Sequence, residues 1–344
     1  MFAARVRGLV AILLLTTAVG WAEEAPSAPA GKWVLVLHGG AGNPPEGLPD
    51  EKLDDFKREV LKTLSDSLRT GREILSDGGT AVDAVEAVVR VMEDDPNLNA
   101  GRGSVLNIDG GFELHASIMD GKTRDAGAVA AIDNVRNPIS LARLVMDKTD
   151  FVLLIGEGAR RFSRDMKVDQ VEPDYFRTEL RQQNWLKAKS EGPSGDFSHW
   201  DRDQPSDVDN IGTVGAVALD QHGNLAAATS TGGVAHKRFG RMGDSSIIGA
   251  GNFADNRTCA VSCTGRGEHF IKNAVAFHVA ALMRYKGLSL EEATQFVIED
   301  VLEEGSGGLI ALDRKGNVSM HFNRDGMRRG VADSDGRFEV QYWK

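Results

Sequence analysis

Thr213 stands in "DNIGTVGAVALD", directly after Gly212 and at the head of a short apolar run. Its hydroxyl is a weak nucleophile that needs an adjacent base. The run itself holds neither histidine nor lysine. One base lies within a threonine: its own α-amino group, with a pKa near about 7.7–8.0. That amine becomes available if the Gly212–Thr213 bond is cut. Three local features suit the cut. Gly212 can hold a strained backbone without a Cβ clash. Residues 187–210, "KAKSEGPSGDFSHWDRDQPSDVDN", are polar and aperiodic, and read as a mobile linker that lets the freed end move away. The apolar run reads as a strand that fixes the new N-terminus on a rigid element. The hydroxyl would attack its own preceding carbonyl, and water would release the ester. A β-branched strand residue without chemistry is the plain alternative.

Other groups are weaker signals. "HGGAGN", from His38, could cradle phosphate, but it lacks the full GxGxxG and a helix opening on its last glycine. Glu93, Asp94 and Asp95 in "EDDPNLNAGRG" could suggest calcium; they read better as a solvated helix end. Cys259 and Cys263 in "TCAVSCT" lie four apart on a strand, a spacing of about 13 Å. A disulfide needs about 7 Å, so two small buried thiols are expected. No CxxC spacing accompanies them, and His269 alone makes no metal site by side chains. Arg5 and Arg7, an apolar run and the small residues Gly20 and Ala22 read as an export leader (1–22). Its apolar run is short of the roughly 20 residues of a spanning helix. A periplasmic or secreted protein is the resulting expectation. The net charge of −10 argues against nucleic acid as a partner.

The elements that must position Thr213 are read from periodicity. "KWVLVLHGGAGN" is an apolar strand ending in a glycine turn. Leu53, Phe56, Val60, Leu61, Leu64 and Leu68 recur at helical spacing. "GGTAVDAVEAVVRVMEDD" is a second helix, with Thr80 as cap and Asp83 in its first turn. "GFELHASIMDG" and "AGAVAAIDNVRNP" read as strands, and "ISLARLVMD" and the region after it as helices. "GTVGAVALDQHGNLAAATSTGG" and "GGLIALDRKGNVSMHF" each read as a hairpin turning at D-x-x-G-N. A helical region separates them, and Ser289 with Glu292 forms a capping box. With 344 residues the chain can bury a large core. The order predicts sheets packed face to face with helices outside, a four-layer αββα sandwich. A doubly wound parallel sheet is the runner-up, and the hairpins count against it.

The ordered set "LHGGAGN", "GTAVDAVEAVV", "NAGRGSVLN", "GFELHASIMDG", "AGAVAAIDNVRNPISLAR", "GTVGAVALD", "ATSTGG", "GRMGDSSIIGAG" and "CTGRGEHFIK" closely resembles the plant-type asparaginases. These form the isoaspartyl peptidase/L-asparaginase branch of the N-terminal nucleophile hydrolases, and the resemblance covers nearly the whole chain after the leader. It implies the αββα fold and self-cleavage into an α subunit (23–212) and a β subunit (213–344) that stay together. It also implies a dimer of such pairs. By resemblance Thr213 is the nucleophile and Thr231 its supporting hydroxyl. Arg241 and Asp244 match the substrate clamp, and Thr264 and Gly265 the oxyanion hole.

The clamp makes chemical sense: a guanidinium fork suits the α-carboxylate of asparagine or a β-aspartyl peptide, and an aspartate suits its ammonium. Alone, the two residues would read as a surface ion pair. The resemblance places Asn99 near the nucleophile, gives His38 a structural role in self-cleavage, and implies a sodium ion held by backbone carbonyls of the loop 93–99. No other cofactor is expected. Arg102 departs from the pattern at a position expected to be apolar, with consequences for the cleft or the ion loop. "DNIGTVG" partly echoes the glycosylasparaginases, which keeps that activity as an alternative. A non-catalytic exported protein that binds amino acids through Arg241 and Asp244 is another.

Overall fold

The computed structural model describes residues 31–42, 50–190 and 212–343. The expected leader and residues 191–210 of the expected linker lie outside these. The linker's first four residues are instead the end of a helix, Glu179–Ser190. Lysines in the last turn of that helix favour its C-terminal dipole, so the helical pattern outlasts the apolar one.

Two sheets form the body. The larger runs β12-β11-β1-β5-β6-β2-β3-β4 and the smaller β10-β9-β8-β7, where β7 is Asn252–Ala254 and β10 is Val318–Phe322. The strands that matter for the site are β1 (Val34–Ala41), β2 (Leu114–Asp120), β5 (Val214–Leu219), β6 (Leu225–Thr231), β8 (Cys259–Gly265), β9 (Gly307–Asp313) and β11 (Met327–Asp333). Every pairing between named strands is antiparallel except β3 (Ala126–Ile132) with β4 (Leu153–Ile155). That excludes the doubly wound alternative.

The central strands β1, β5 and β6 are buried at every position because both their faces are covered. Leu35 and Leu37 of β1, with Val214, Ala216 and Ala218 of β5, pack beneath α1 (Asp50–Ser76), α2 (Ala81–Glu93) and α3 (Pro138–Lys148). The alternate residues Val34, Val36, Val217 and Leu219 face the smaller sheet. That sheet carries α7 (Val275–Lys286) and α8 (Leu290–Phe296) on its far side. The period of two along a strand thus builds both inner boundaries of a four-layer sandwich.

Local chemistry sets the element ends as read from the sequence. The Thr80 side chain accepts from the Asp83 N–H, and Ser289 and Glu292 close a capping box. The two hairpins turn at Asp220–Asn224 and Asp313–Asn317. Cys259 and Cys263 are buried free thiols on β8. The closing hairpin of β11 and β12 (Phe338–Gln341) was not anticipated; its strands are short and rich in arginine and acid, so no apolar alternation announces them.

Candidate active site

Antiparallel pairing brings four strand ends to one end of the sandwich. Gly215 of β5 lies opposite His38 of β1, and Val214 opposite Ser230 of β6. The start of β5 therefore meets the ends of β1 and β6. The end of β8 reaches the same point from the facing sheet, where the Ala41 N–H donates to Thr264 Oγ1 at 3.2 Å. Thr213 sits at this junction and is buried. Its hydroxyl donates to Thr231 Oγ1 at 3.1 Å, and the Gly233 N–H donates to the same Thr231 oxygen at 3.0 Å. The second threonine thus turns its lone pairs to the first.

Thr213 lines a cleft of about 50 Å³ with Gly212, Thr231, Asn99, Gly233, Arg241, Asp244 and Gly265 among its walls. The chain is continuous through Gly212–Thr213, so Gly212 itself fills part of the cleft. A Cβ on Gly212 would stand 2.8 Å from Thr264 Oγ1. The Thr264 hydroxyl therefore lies against the peptide to be cut. Having accepted from Ala41, it keeps its own proton to donate.

His38 has the structural place expected. It is fully buried, and burial pushes its pKa down to about 3, so the ring is neutral. Nδ1 lies 3.1 Å from the Thr213 carbonyl oxygen and so carries the proton. Nε2 then accepts from Ser262 Oγ at 3.0 Å, and Ser262 Oγ lies 2.6 Å from Thr229 Oγ1. This hydroxyl chain ties the two sheets together behind the nucleophile. Asn99 supports the other side: its Nδ2 donates to the Gly233 carbonyl and its Oδ1 accepts from Val105.

Arg241 and Asp244 line the same cleft, as expected. Asp244 is buried, its Oδ2 has no partner among the described residues, and burial raises its pKa to about 7. A cationic group entering the cleft would find that oxygen waiting. Arg241 already donates Nε and Nη2 to Glu268 at 2.7 and 2.8 Å. Its Nη1 is the nitrogen nearest Gly233 and Gly243, both cleft residues. Sequence reading missed Glu268, 27 residues from its partner, because no spacing rule joins them. It also missed Lys237, whose buried ammonium donates to the carbonyls of Glu113 and Gly232. Burial lowers that pKa to about 7.

Two expectations about the loop after α2 need correction. Glu93 and Asp95 are not a solvated helix end. Glu93 is fully buried, and its Oε1 accepts from Ser230 Oγ at 2.6 Å and the Ile139 N–H at 3.0 Å. Asp95 is buried too and binds Thr63 and the Asn97 N–H. Asp94 alone is partly exposed, paired with Arg136 at 3.1 Å. Arg102 neither lines the cleft nor enters it; it is exposed and lies over the Tyr175 ring. The loop does bring backbone carbonyls together. A Cβ at Gly103 would sit 2.7 and 2.8 Å from the carbonyl oxygens of Pro96 and Asp95, and closer to that of Leu98. Among the described residues no group of three or more His, Cys, Asp or Glu side chains could hold a metal.

Burial raises the pKa of Glu93 to about 8, far above its usual 4.5. The folded state then holds a proton that the unfolded state releases, so stability falls as pH rises from about 4.5 to about 8. Glu93→Gln keeps the shape without that proton. The melting-temperature gap between variant and wild type should widen in the variant's favour from pH 5 to pH 9, by up to a few kcal/mol in stability. A gap that stays constant would show that Glu93 is not held protonated.

The family model described as Asparaginase matches residues 31–342. The chain is 46% identical over 304 residues to "Isoaspartyl peptidase" of Escherichia coli, covering 87% of this chain and 92% of that protein. It is 43% identical to "Probable isoaspartyl peptidase/L-asparaginase 2" of Arabidopsis thaliana, covering 91% and 100%. It is 43% identical to "Isoaspartyl peptidase/L-asparaginase" of Mus musculus, covering 83% of each. The expected export is corrected by these relatives, which are cytosolic enzymes. A basic start followed by an apolar run is a compositional signal, and it lies outside the described residues. Among the described residues no helix is long and apolar enough to cross a membrane.

Proposed function

Because this chain belongs to the asparaginase family, we propose that it is a self-cleaving threonine amidohydrolase acting on L-asparagine and β-aspartyl dipeptides. The observation that carries the reading is the Thr213 hydroxyl, placed directly after Gly212 and 3.1 Å from Thr231 in a cleft walled by Arg241 and Asp244. Thr213 first attacks the Gly212 carbonyl, and water releases the ester. The freed amine then serves as base for the same hydroxyl. Substrate docks its α-carboxylate on Arg241 and its ammonium on Asp244. Thr213 attacks the side-chain carbonyl, the oxyanion forms against the Thr264 hydroxyl and the Gly265 N–H, and ammonia or an amino acid leaves. Water resolves the acyl-enzyme.

The topology supports a cut that does not separate the pieces. β5 and β6 of the second fragment lie hydrogen-bonded between β1 and β2 of the first. The fragments interleave within one sheet. The carbonyls of Asp95, Pro96 and Leu98, which converge beside Gly103, would be the ones to hold a sodium ion, which would fix the loop carrying Asn99 and take no part in bond making. Two such cleaved units would pair, as in the resemblance.

Purified protein should run as two fragments, release ammonia from asparagine and release leucine from β-aspartyl-leucine. Turnover of N-acetylglucosaminyl-asparagine in their place would contradict the substrate assignment. An unbroken, inactive chain that binds asparagine would contradict the enzyme.

Asp244 sets a pH dependence. Its carboxyl is half protonated near pH 7 in the free site because burial disfavours the charge. Substrate ammonium needs the carboxylate, so KM should fall as pH rises from 6 to 7.5. Asp244→Asn should raise KM by about 10- to 100-fold, the worth of a hydrogen bond to a charged group, and flatten that trend. Steady-state kinetics across pH checks both.

A further inference from the structure

The pairing of β1 with β11 shifts between His38 and Ala41, whose partners are Arg329 and Met327. Gly39 and Gly40 therefore bulge opposite the single residue Arg328. The Arg328 side chain is fully buried. Its Nη1 donates to the Gly39 carbonyl at 2.9 Å, while Nε and Nη2 have no hydrogen-bond partner among the described residues. Tyr342 and Trp343 cover the guanidinium, their ring centres 5.6 and 5.5 Å from its carbon. That segment is itself fastened, because Arg329 Nη1 donates to the Trp343 carbonyl at 2.6 Å.

A buried, incompletely paired cation is a poor stabiliser. Among the described residues, the hydrogen bond that the Arg328 guanidinium makes to a backbone carbonyl goes to the bulge. On its other side the bulge meets the peptide to be cut: Gly40 has φ +103°, and a Cβ there would lie 2.7–2.8 Å from Gly212 N, C and O. Contacts thus run from the C-terminal rings through Arg328 and the bulge to Gly212.

We propose that Arg328 is a positioning residue for self-cleavage. By holding the Gly39 carbonyl it fixes the bulge that sets the Gly212–Thr213 peptide against the Thr213 hydroxyl, and Tyr342 and Trp343 keep the guanidinium in place. The inference rests on the self-cleavage reading above. Its effect belongs to the cut rather than to later turnover. Once Gly212 is detached the bulge has no bonded peptide to set, while Thr213, Thr231 and Thr264 keep their places on β5, β6 and β8.

Arg328→Met keeps the unbranched stem and removes the guanidinium with its donors and charge; Arg328→Lys returns the charge. The fraction of chain beginning at Thr213 is followed over time after a pulse of synthesis, and kcat and KM are measured per cleaved centre. Arg328→Met should cleave at least ten-fold more slowly and Arg328→Lys at an intermediate rate. Each should keep kcat and KM per cleaved centre within about two-fold of wild type. Trp343→Ala, which leaves Arg328 in place with one of its two covering rings removed, should also slow the cut several-fold. Wild-type cleavage rates in Arg328→Met overturn the proposal. So does an equal loss in cleavage and kcat, the mark of a general structural role. If Arg328→Met does not fold, an unchanged rate in Trp343→Ala overturns it. A wild-type chain that never cleaves would sink the underlying reading, which distinguishes that failure from this one.

Discussion

Thr213→Ala should leave the chain whole and lower hydrolysis of asparagine and β-aspartyl-leucine by at least about 10⁴-fold. Both losses come from one residue. The side chain supplies the attacking oxygen for the cut and for the substrate, and its backbone nitrogen becomes the base once the cut is made. No other described group stands in for it. His38 is neutral, and its Nδ1 proton is committed to the Thr213 carbonyl rather than the hydroxyl. Thr231 is a partner without a base of its own, accepting from Gly233 and Thr213. Thr213→Ser keeps oxygen and amine and should retain both reactions at reduced rate. A denaturing gel with an ammonia-release assay reads both outcomes. Wild-type hydrolysis by an intact Thr213→Ala chain would remove the mechanism entirely.

Thr264→Val should lower kcat by about 10²–10³-fold with little change in KM, the usual cost of losing one oxyanion donor. The same substitution should slow self-cleavage, because the hydroxyl lies against Gly212 in the intact chain. One donor would serve two tetrahedral intermediates in turn. Valine matches threonine in shape and strand preference, so β8 should keep its register with β9. The change also leaves the buried Ala41 N–H without its acceptor. A stability loss of about 1–3 kcal/mol should therefore accompany the kinetic one. Thermal unfolding measured beside the kinetics separates them: a fall in melting temperature without a fall in kcat would deny Thr264 its chemical role.

The layers were legible because Val34 to Leu37 of β1 and the whole of β5 are apolar and because two D-x-x-G-N turns announce hairpins. Such strands need cover on both faces, and the helices with single apolar stripes supply it on one. Thr213, Thr231, Arg241, Asp244, Asn99 and Gly265 were named from the ordered motifs, and the structure brings all six around one cleft. What stayed illegible is pairing across long separations. Glu268 on Arg241, Glu93 on Ser230 and Arg328 on Gly39 join residues 27, 137 and 289 apart. Each involves a charged side chain, which composition assigns to the surface. Three adjacent acids at the end of α2 look solvated by that rule, yet packing buries two of them. The expected export rested on composition alone, in residues that lie outside those described.

The central claim is that the backbone opens between Gly212 and Thr213 and that the freed threonine does the chemistry. N-terminal sequencing of both fragments in a purified, catalytically active preparation tests it most directly. The account predicts one chain that begins Thr-Val-Gly-Ala, present in proportion to activity. Full activity from material in which no chain begins at Thr213 would contradict it.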